Sequence, residues 1–519
     1  MHYFNTLSKT TASVSLAALL LAAGAHAQVE VDEQGTTSTT ENAETTRRLG
    51  AITVTAQKRE QSLQDVPIVV TALSGELLSD AGVKDIKDLT VVTPGLLVTS
   101  SSKQANTTAR IRGIGTVGDN PGLESSVGVV IDGVPRARNG VSFGDLGEIE
   151  RIEVLKGPQG TLFGKSTSAG VINIITKKPS DELESIFEVG IGNEGFLRTS
   201  AEVTGPLSET VSGRLFGVYE ERGGLLDVKT GNGPRTEDET SQYDFYSFRG
   251  QLLFEPSGDL EILLSADYTD REEDCCMGDY VSVDPARGPL VTLLAGGDGA
   301  SAFPIDPFDR VAFANRDATQ TTEDWGVSAN IKWQTGFGEL TSITSYRDWE
   351  NGSGQDTDFS AADLWYRDDE TSVDAFATFS QELRFAGATD NIDWQVGAFY
   401  ANETLDRSDF IRYGNDYFFY FQQLLLGASG GAFDLSSLPG NIYTGEANAT
   451  ADVYEQTADT YAIFTNNTFS LSDQFDLTVG LRYTIDEKTL ESNFNGEAGS
   501  CTTALAVFGP TGGLTPTLC

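Results

Sequence analysis

The stretch from Ile149 to Pro179 reads "IERIEVLKGPQGTLFGKSTSAGVINIITKKP". At its centre, Lys156 to Thr167 ends in Gly164-Lys165-Ser166, the tail of a phosphate-binding loop. The full motif is G-x-x-x-x-G-K-[ST]. Read back from Gly164, the required glycine position holds Gln159, and both Gly157 and Gly160 miss it. Such a loop must also open a helix whose N-terminus faces the anion. Here the chain continues through Val171, Ile172, Ile174, Ile175 and Thr176. These β-branched residues predict a strand, so the stretch is not a nucleotide site.

The surrounding region, residues 60–179, reads as a compact mixed α+β unit. Leu77, Leu78, Val83, Ile86 and Leu89 recur at roughly helical spacing, with Pro94-Gly95 as a stop. Short strands follow at "ARIRGIG", "SVGVVIDGVP", "IERIEVLKG" and "GVINIITKK". Asp132-Gly133 between β-branched runs predicts a tight hairpin turn.

From about residue 182 the texture changes to long alternating segments. "WGVSANIKW" places Trp325, Val327, Ala329, Ile331 and Trp333 on one face, and "FDLTVGLRYTID" and "IDWQVGAFY" alternate likewise. An apolar outer face, a polar inner face and aromatics near strand ends are what a transmembrane β-barrel needs. Short turns at 205–210, 256–259, 335–339, 387–391 and 470–474 alternate with long loops near 221–240, 271–318, 351–371 and 406–453. Barrels of this kind keep short turns on the periplasmic side and long loops outside. About eleven strands are expected.

The N-terminus carries Lys9, an apolar run from Val14 to Ala23 and the small-x-small site Ala25-His26-Ala27. This predicts a secretory signal over 1–27; the apolar run is too short to span a bilayer. Residues 28–59 read as a polar tether containing a β-prone island, Ile52 to Ala56, with no nearby partner. Such an island suits strand addition to another protein's sheet, or else it is the first strand of the next domain.

Composition narrows the function. The net charge of −41 disfavours nucleic acid as a partner. The only histidines, His2 and His26, fall within the signal. That removes histidine-based zinc sites and Ser-His-Asp triads from the expected mature chain. No nucleophile–base set stands out, so neither an enzyme nor a cofactor is expected, and no metal site. Cys275, Cys276, Cys501 and Cys519 suggest disulfides in an exported protein, with Cys501–Cys519 and a vicinal Cys275–Cys276 as the expected pairs. Tyr413, Tyr417, Phe418, Phe419, Tyr420 and Phe421 crowd the 406–453 loop and are candidate ligand contacts; an ordinary small loop core is the alternative.

"ITVTAQKREQSLQDVPIVVTALSGELL", "RIRGIG", "VIDGVP" and the Ile149–Pro179 stretch, in this order, resemble the TonB-dependent outer-membrane receptors. The resemblance implies a plug domain followed by an antiparallel barrel of about 22 strands, of which residues 180–519 supply the N-terminal half. The chain ends "LTPTLC" without the family's terminal aromatic strand, so a partial barrel is expected. The resemblance also implies energised uptake of a scarce, bulky ligand from the bacterial outer membrane, a ferric siderophore by default. Glycans, cobalamin or aromatic compounds are alternatives within the family, and a passive channel is the alternative outside it. A TonB-type energy transducer would grasp Ile52, Thr53, Val54, Thr55 and Ala56. Arg110 and Arg112 match plug arginines that meet barrel carboxylates, with Glu150, Arg151 and Glu153 on the matching plug strand.

Overall fold

The computed structural model describes residues 53–495, apart from 101–102, 117–119, 143–146, 232, 276, 279–281, 283–287, 296–305, 307, 429–447 and 473. The expected signal, most of the tether, Ile52, Cys276, Cys501 and Cys519 lie outside the described residues.

The first unit of the fold is built from short strands: β1 (Thr53–Val54), β2 (Gln61–Ser62), β3 (Val69–Ser74), β4 (Leu96–Thr99), β5 (Thr108–Ile111), β6 (Val127–Ile131), β7 (Val134–Pro135), β8 (Ile149–Lys156) and β9 (Gly170–Thr176). Five of them form one sheet in the order β3-β8-β9-β6-β7. The β6–β9 pairing is parallel and the others are antiparallel. Apolar side chains of β6, β8 and β9 are buried, as a mixed sheet covered on both faces requires. Asp132 and Gly133 both have positive φ (50° and 85°), the conformation a two-residue hairpin turn needs.

The helical pattern is cut in two. Helices α1 (Gly75–Asp80) and α2 (Leu89–Val92) replace the single expected helix. Ser74 caps α1 by accepting the Leu77 N–H. Gly82, at φ 68°, then turns the chain left-handed and ends the helix. Leu78, Val83, Ile86 and Leu89 still reach the core, packed with Ile111, Val127, Ile152 and Ile172. Each such burial stabilises the fold by roughly 1.5–3 kcal/mol. A single helical turn, α3 (Gly160–Phe163), occupies the former phosphate-loop stretch and leads straight into β9.

The second unit is a curved antiparallel wall. Its long strands are β10 (Glu184–Ile191), β11 (Leu197–Ser208), β12 (Val211–Arg222), β15 (Tyr243–Ser257), β16 (Leu260–Asp274), β18 (Thr319–Thr335), β19 (Gly338–Ser353), β22 (Val373–Ala388), β23 (Ile392–Tyr413), β24 (Asn448–Ser472) and β25 (Phe475–Asn495). Each pairs with the next long strand. The long loops add β13 (Leu226–Lys229), β14 (Glu239–Thr240), β17 (Val311–Phe313), β20 (Gln355–Asp356) and β21 (Trp365–Arg367), and the helices α4 (Gly288–Ala295) and α5 (Tyr417–Ala428). Trp325, Val327, Trp333, Leu481 and Tyr483 are exposed on the outer face. Arg198, Glu202, Arg214, Arg249 and Gln251 are buried on the inner face. The short turns fall where the alternation placed them. The expected 406–453 loop is shorter than that, because 406–413 and 448–453 are paired strand: Ser408 lies opposite Val453, and Phe410 opposite Ala451. No helix among the described residues is long and apolar enough to cross a membrane.

Candidate functional site

Three sets of contacts are candidates for function: the N-terminal segment at the short-turn end of the wall, the ion pairs between plug and wall, and the packed long loops.

The segment from Thr53 is not free-standing. β1 pairs with β2, Thr53 opposite Ser62. Val54 and Ala56 are 0% and 1% exposed, packed with Val66, Val130, Leu155 and Val171. Their apolar side chains find a dry surface on the plug sheet, which explains the pairing that local pattern could not supply. The Thr55 N–H donates to Glu153 Oε1 at 2.7 Å. Arg151 Nε donates to the same oxygen at 2.8 Å, and Asn173 Nδ2 donates to Oε2 at 3.2 Å. A buried carboxylate with this many donors is well held.

At the next turn Lys58 has a left-handed backbone, φ 57°. Its Nζ meets Glu382 Oε2 on β22 at 2.5 Å. It also lies 5.3 Å from the Phe163 ring centre and 5.5 Å from that of Phe464. Burial lowers the Lys58 pKa, and the attraction of Glu382 partly offsets this. Arg59 donates from Nε to Gln395 Oε1 at 3.1 Å and from Nη2 to the Asn466 carbonyl at 2.8 Å. Beside these contacts a polar cavity of about 910 Å³ lies between plug and wall, lined in part by Thr55, Lys58, Arg59, Lys332, Glu382 and Arg384.

Plug and wall are joined again at other levels. Arg249 on β15 donates to Asp132 at 2.5 Å. Arg138 pairs with Glu403 on β23 at 3.0 Å and lies over the Phe376 ring at 5.2 Å. Lys103 pairs with Asp374 at the start of β22. Lys165, from the stretch that opened the sequence reading, lies 3.2 Å from Glu124 and 3.6 Å from Asp486 on β25. These links run from the short-turn end (Lys58) to the long-loop end (Lys103).

The residues that sequence resemblance assigned to plug–barrel contacts sit elsewhere. Arg110 donates to Thr99 within the β4–β5 hairpin. Arg112 holds the turn after β5, its N–H on the Gly95 carbonyl at 2.7 Å. Arg151 pairs with Glu150 and Glu153 on its own strand. For these charges the partners in the structure are strand neighbours and hairpin residues of the plug itself. Lys58, Arg59, Lys103, Asp132, Arg138 and Lys165 are among the plug residues that reach the wall instead. Their only sequence signal was charge in loops flanking buried strands.

The long loops have their own core. Tyr420 on α5 is buried with Val291, Ala295, Phe313, Ala361, Ala362 and Leu364. The ring of Tyr417 stacks on Tyr413 at 4.2 Å and tilts against Trp365 at 5.1 Å. Of the candidate ligand contacts, then, Tyr420 is a core residue, and Tyr413 and Tyr417 pack on neighbours. Phe418 is half-buried, and Phe419, at 43%, is the more open ring. Arg316 clamps Asp363 through Nε and Nη2 at 2.9 and 2.8 Å. Burial opposes the ionisation of Asp363, but the Arg316 and Asn415 donors outweigh it and hold the carboxyl below its ordinary value. No group of three or more metal-ligating side chains occurs among the described residues. Cys275 is disulfide-bonded; the expected pairings themselves lie outside the described residues.

Residues 62–171 match the family profile described as "TonB-dependent Receptor Plug Domain". The chain is 24% identical over 493 residues to the pesticin receptor of Yersinia enterocolitica serotype O:8, covering 92% of this chain and 60% of that protein. It is 28% identical over 292 residues to the ferripyoverdine receptor of Pseudomonas aeruginosa, covering 52% and 33%. Among solved structures, the ferric yersiniabactin uptake receptor from Yersinia pestis superimposes with a TM-score of 0.63 at 19% identity, over 83% of this chain and 58% of that one. The chain thus spans about 60% of the length of the pesticin receptor it matches.

Proposed function

We propose that the chain, whose residues 62–171 match the TonB-dependent receptor plug profile, is a TonB-dependent receptor of the bacterial outer membrane that serves energised uptake of a scarce, bulky ligand, a ferric siderophore. The observation that carries this reading is the plug held against the inner face of the wall by ion pairs from one end to the other. A passive pore has no use for such an obstruction. An energised receptor needs one that holds at rest and yields under force.

In this reading the long loops face outward and capture ligand, while Ile52–Ala56 is the handle for a TonB-type transducer reaching from the periplasm. The relative named as a ferripyoverdine receptor supports a ferric siderophore as the ligand class. The handle would be taken by main-chain pairing to a transducer strand, which requires β1 to leave β2 and Val54 to leave its core. The cavity beside Lys58 gives this segment room to move.

The test is uptake of labelled ferric siderophores, one each of catecholate, hydroxamate and phenolate type, by cells carrying the receptor. Binding should survive a protonophore and accumulation should not. Accumulation that continues without an energised inner membrane supports a passive channel and overturns the proposal.

A further inference from the structure

Three long-loop segments meet at a pair of buried aspartates. Asp356 ends β20 and is 1% exposed. Its Oδ2 accepts the backbone N–H of Asn315 at 2.8 Å and of Arg316 at 3.2 Å, tying the segment after β17 to the β20–β21 hairpin. Its Oδ1 is buried without a hydrogen-bond partner. Two residues on, Asp358 is buried as well. Its Oδ2 accepts the N–H of Leu364 at 3.1 Å and of Trp365 at 3.0 Å, and its Oδ1 accepts the Ser360 N–H at 3.1 Å. These bonds close the hairpin. β21 then pairs with β23, Trp365 opposite Tyr413, next to α5.

The charged groups around the pair are engaged elsewhere. The Arg316 guanidinium holds Asp363 and lies over the Tyr366 ring at 4.0 Å. Asp416 accepts the Asp363 N–H. Arg235 pairs with Asp274 and Asp317. Arg367 binds Asp409 and Gln355, and Arg412 binds Asp368. Asp369 packs behind Gly354. What faces Asp356 is a set of N–H donors, the Asp358 carboxylate and, across space, the Arg316 charge, while Asp363 faces Asp358.

We propose that Asp356 and Asp358 form a pH-sensitive clasp that joins the long loops in mildly acidic medium and loosens them in alkaline medium. Two buried carboxylates two residues apart in one hairpin disfavour ionising together. Burial, then the neighbouring Asp358 charge, raises Asp356 well above the ordinary aspartate value of 3.8. Burial raises Asp358 to about 7, despite the donors on its oxygens. Both folded values lie above the free value, so the joined loops bind protons that separated loops release. The resulting stabilisation is complete below about pH 4, declines through about pH 7 and is lost above it. Any effect on ligand capture rests on the uptake reading; the clasp itself does not.

The test is therefore made without ligand. Hydrogen exchange is followed on the full chain in outer-membrane vesicles at about pH 5.5 and about pH 8.5, each corrected for the intrinsic rate. The amides of Asn315, Arg316, Leu364 and Trp365 should lose at least about tenfold protection at the higher pH, the equivalent of one unit of pKa difference. In Asp356→Asn the amide oxygen can still accept from Asn315 and Arg316, and protection of those two amides should be the same at both pH values within about twofold, while Asp358 still titrates. Asp358→Asn is the second variant and should flatten the pH dependence at Leu364 and Trp365. Equal protection at the two pH values in the unsubstituted chain overturns the proposal, as does a tenfold loss at Asn315 and Arg316 that persists in Asp356→Asn, or at Leu364 and Trp365 in Asp358→Asn.

Discussion

Lys58 and Glu382 are 324 residues apart in the chain and 2.5 Å apart in the fold. Their ion pair fastens the N-terminal segment of the plug to β22, toward the short-turn end of the wall. Both side chains are largely buried, at 14% and 8%. Removing one partner of such a pair leaves a buried charge without its counterion, at a cost of about 3–5 kcal/mol.

Glu382→Gln should therefore loosen the segment around Lys58 before anything else. Trypsin cleavage after Lys58 or Arg59, slow in the parent, should accelerate. A double change, Lys58→Met with Glu382→Leu, removes the first site but should restore most of the resistance at Arg59, because an apolar pair of similar size replaces a buried ion pair at little cost. Equal cleavage in parent and Glu382→Gln would show that the pair does not hold the segment.

Gly75 opens α1 directly after its cap. A Cβ there would lie 2.0 Å from the Ile149 carbonyl oxygen, a backbone atom that cannot step aside. Gly75→Ala should destabilise the plug by about 1–3 kcal/mol, read as an earlier thermal loss of protease resistance over 62–171, with the wall strands unaffected.

Two residues of the aromatic loop should separate stability from capture. Tyr420→Ala empties a buried site and should cost about 3 kcal/mol in the loop core, seen as faster hydrogen exchange across α4 and α5. Phe419→Ala removes an exposed ring and should leave exchange unchanged. If the loop takes ligand, Phe419→Ala weakens ligand binding; an unchanged affinity removes this ring from the site.

Asp363 should respond to pH in the opposite sense from the Asp356–Asp358 pair. Its folded value is depressed, so its contribution is present above about pH 4 and is lost as pH falls through the lower folded value. Exchange at Asn415, whose N–H donates to Asp363, should rise in acid below about pH 4. Asp363→Asn should cost about 1.5–3 kcal/mol at neutral pH and abolish that acid response.

The wall was legible because its period is local. Trp325, Val327 and Trp333 announce an outer face, and Asp132-Gly133 announces a turn, within a few residues of sequence. The Gly82 break in the helix was also present in the sequence, but helical spacing of Leu78, Val83, Ile86 and Leu89 survives the break and hides it. Strand at 406–413 was hidden for another reason. "DRSDFIRY" has two wet faces, so alternation, which reports a difference between faces, has nothing to report. Partner choice was the least legible. Val54 and Ala56 needed a sheet built from residues 130, 155 and 171, and Arg138 needed Glu403, 265 residues on. Arg110 and Arg151 carried a family resemblance, yet here they bind Thr99 and Glu153 beside them.

The most direct test of energised uptake through the Thr53–Ala56 segment compares Val54→Pro with Val54→Ile, reading labelled ferric-siderophore binding at low temperature beside accumulation in energised cells. Proline lacks an N–H and removes a ladder bond from any strand paired at that point, whereas isoleucine keeps the backbone. The account predicts that Val54→Pro binds ligand within about threefold of the parent, less than 1 kcal/mol, and fails to accumulate it, and that Val54→Ile does both. Accumulation by Val54→Pro at the parental rate would contradict the account. Loss of binding together with accumulation would contradict it as well, because β1 would then be only a strand of the plug.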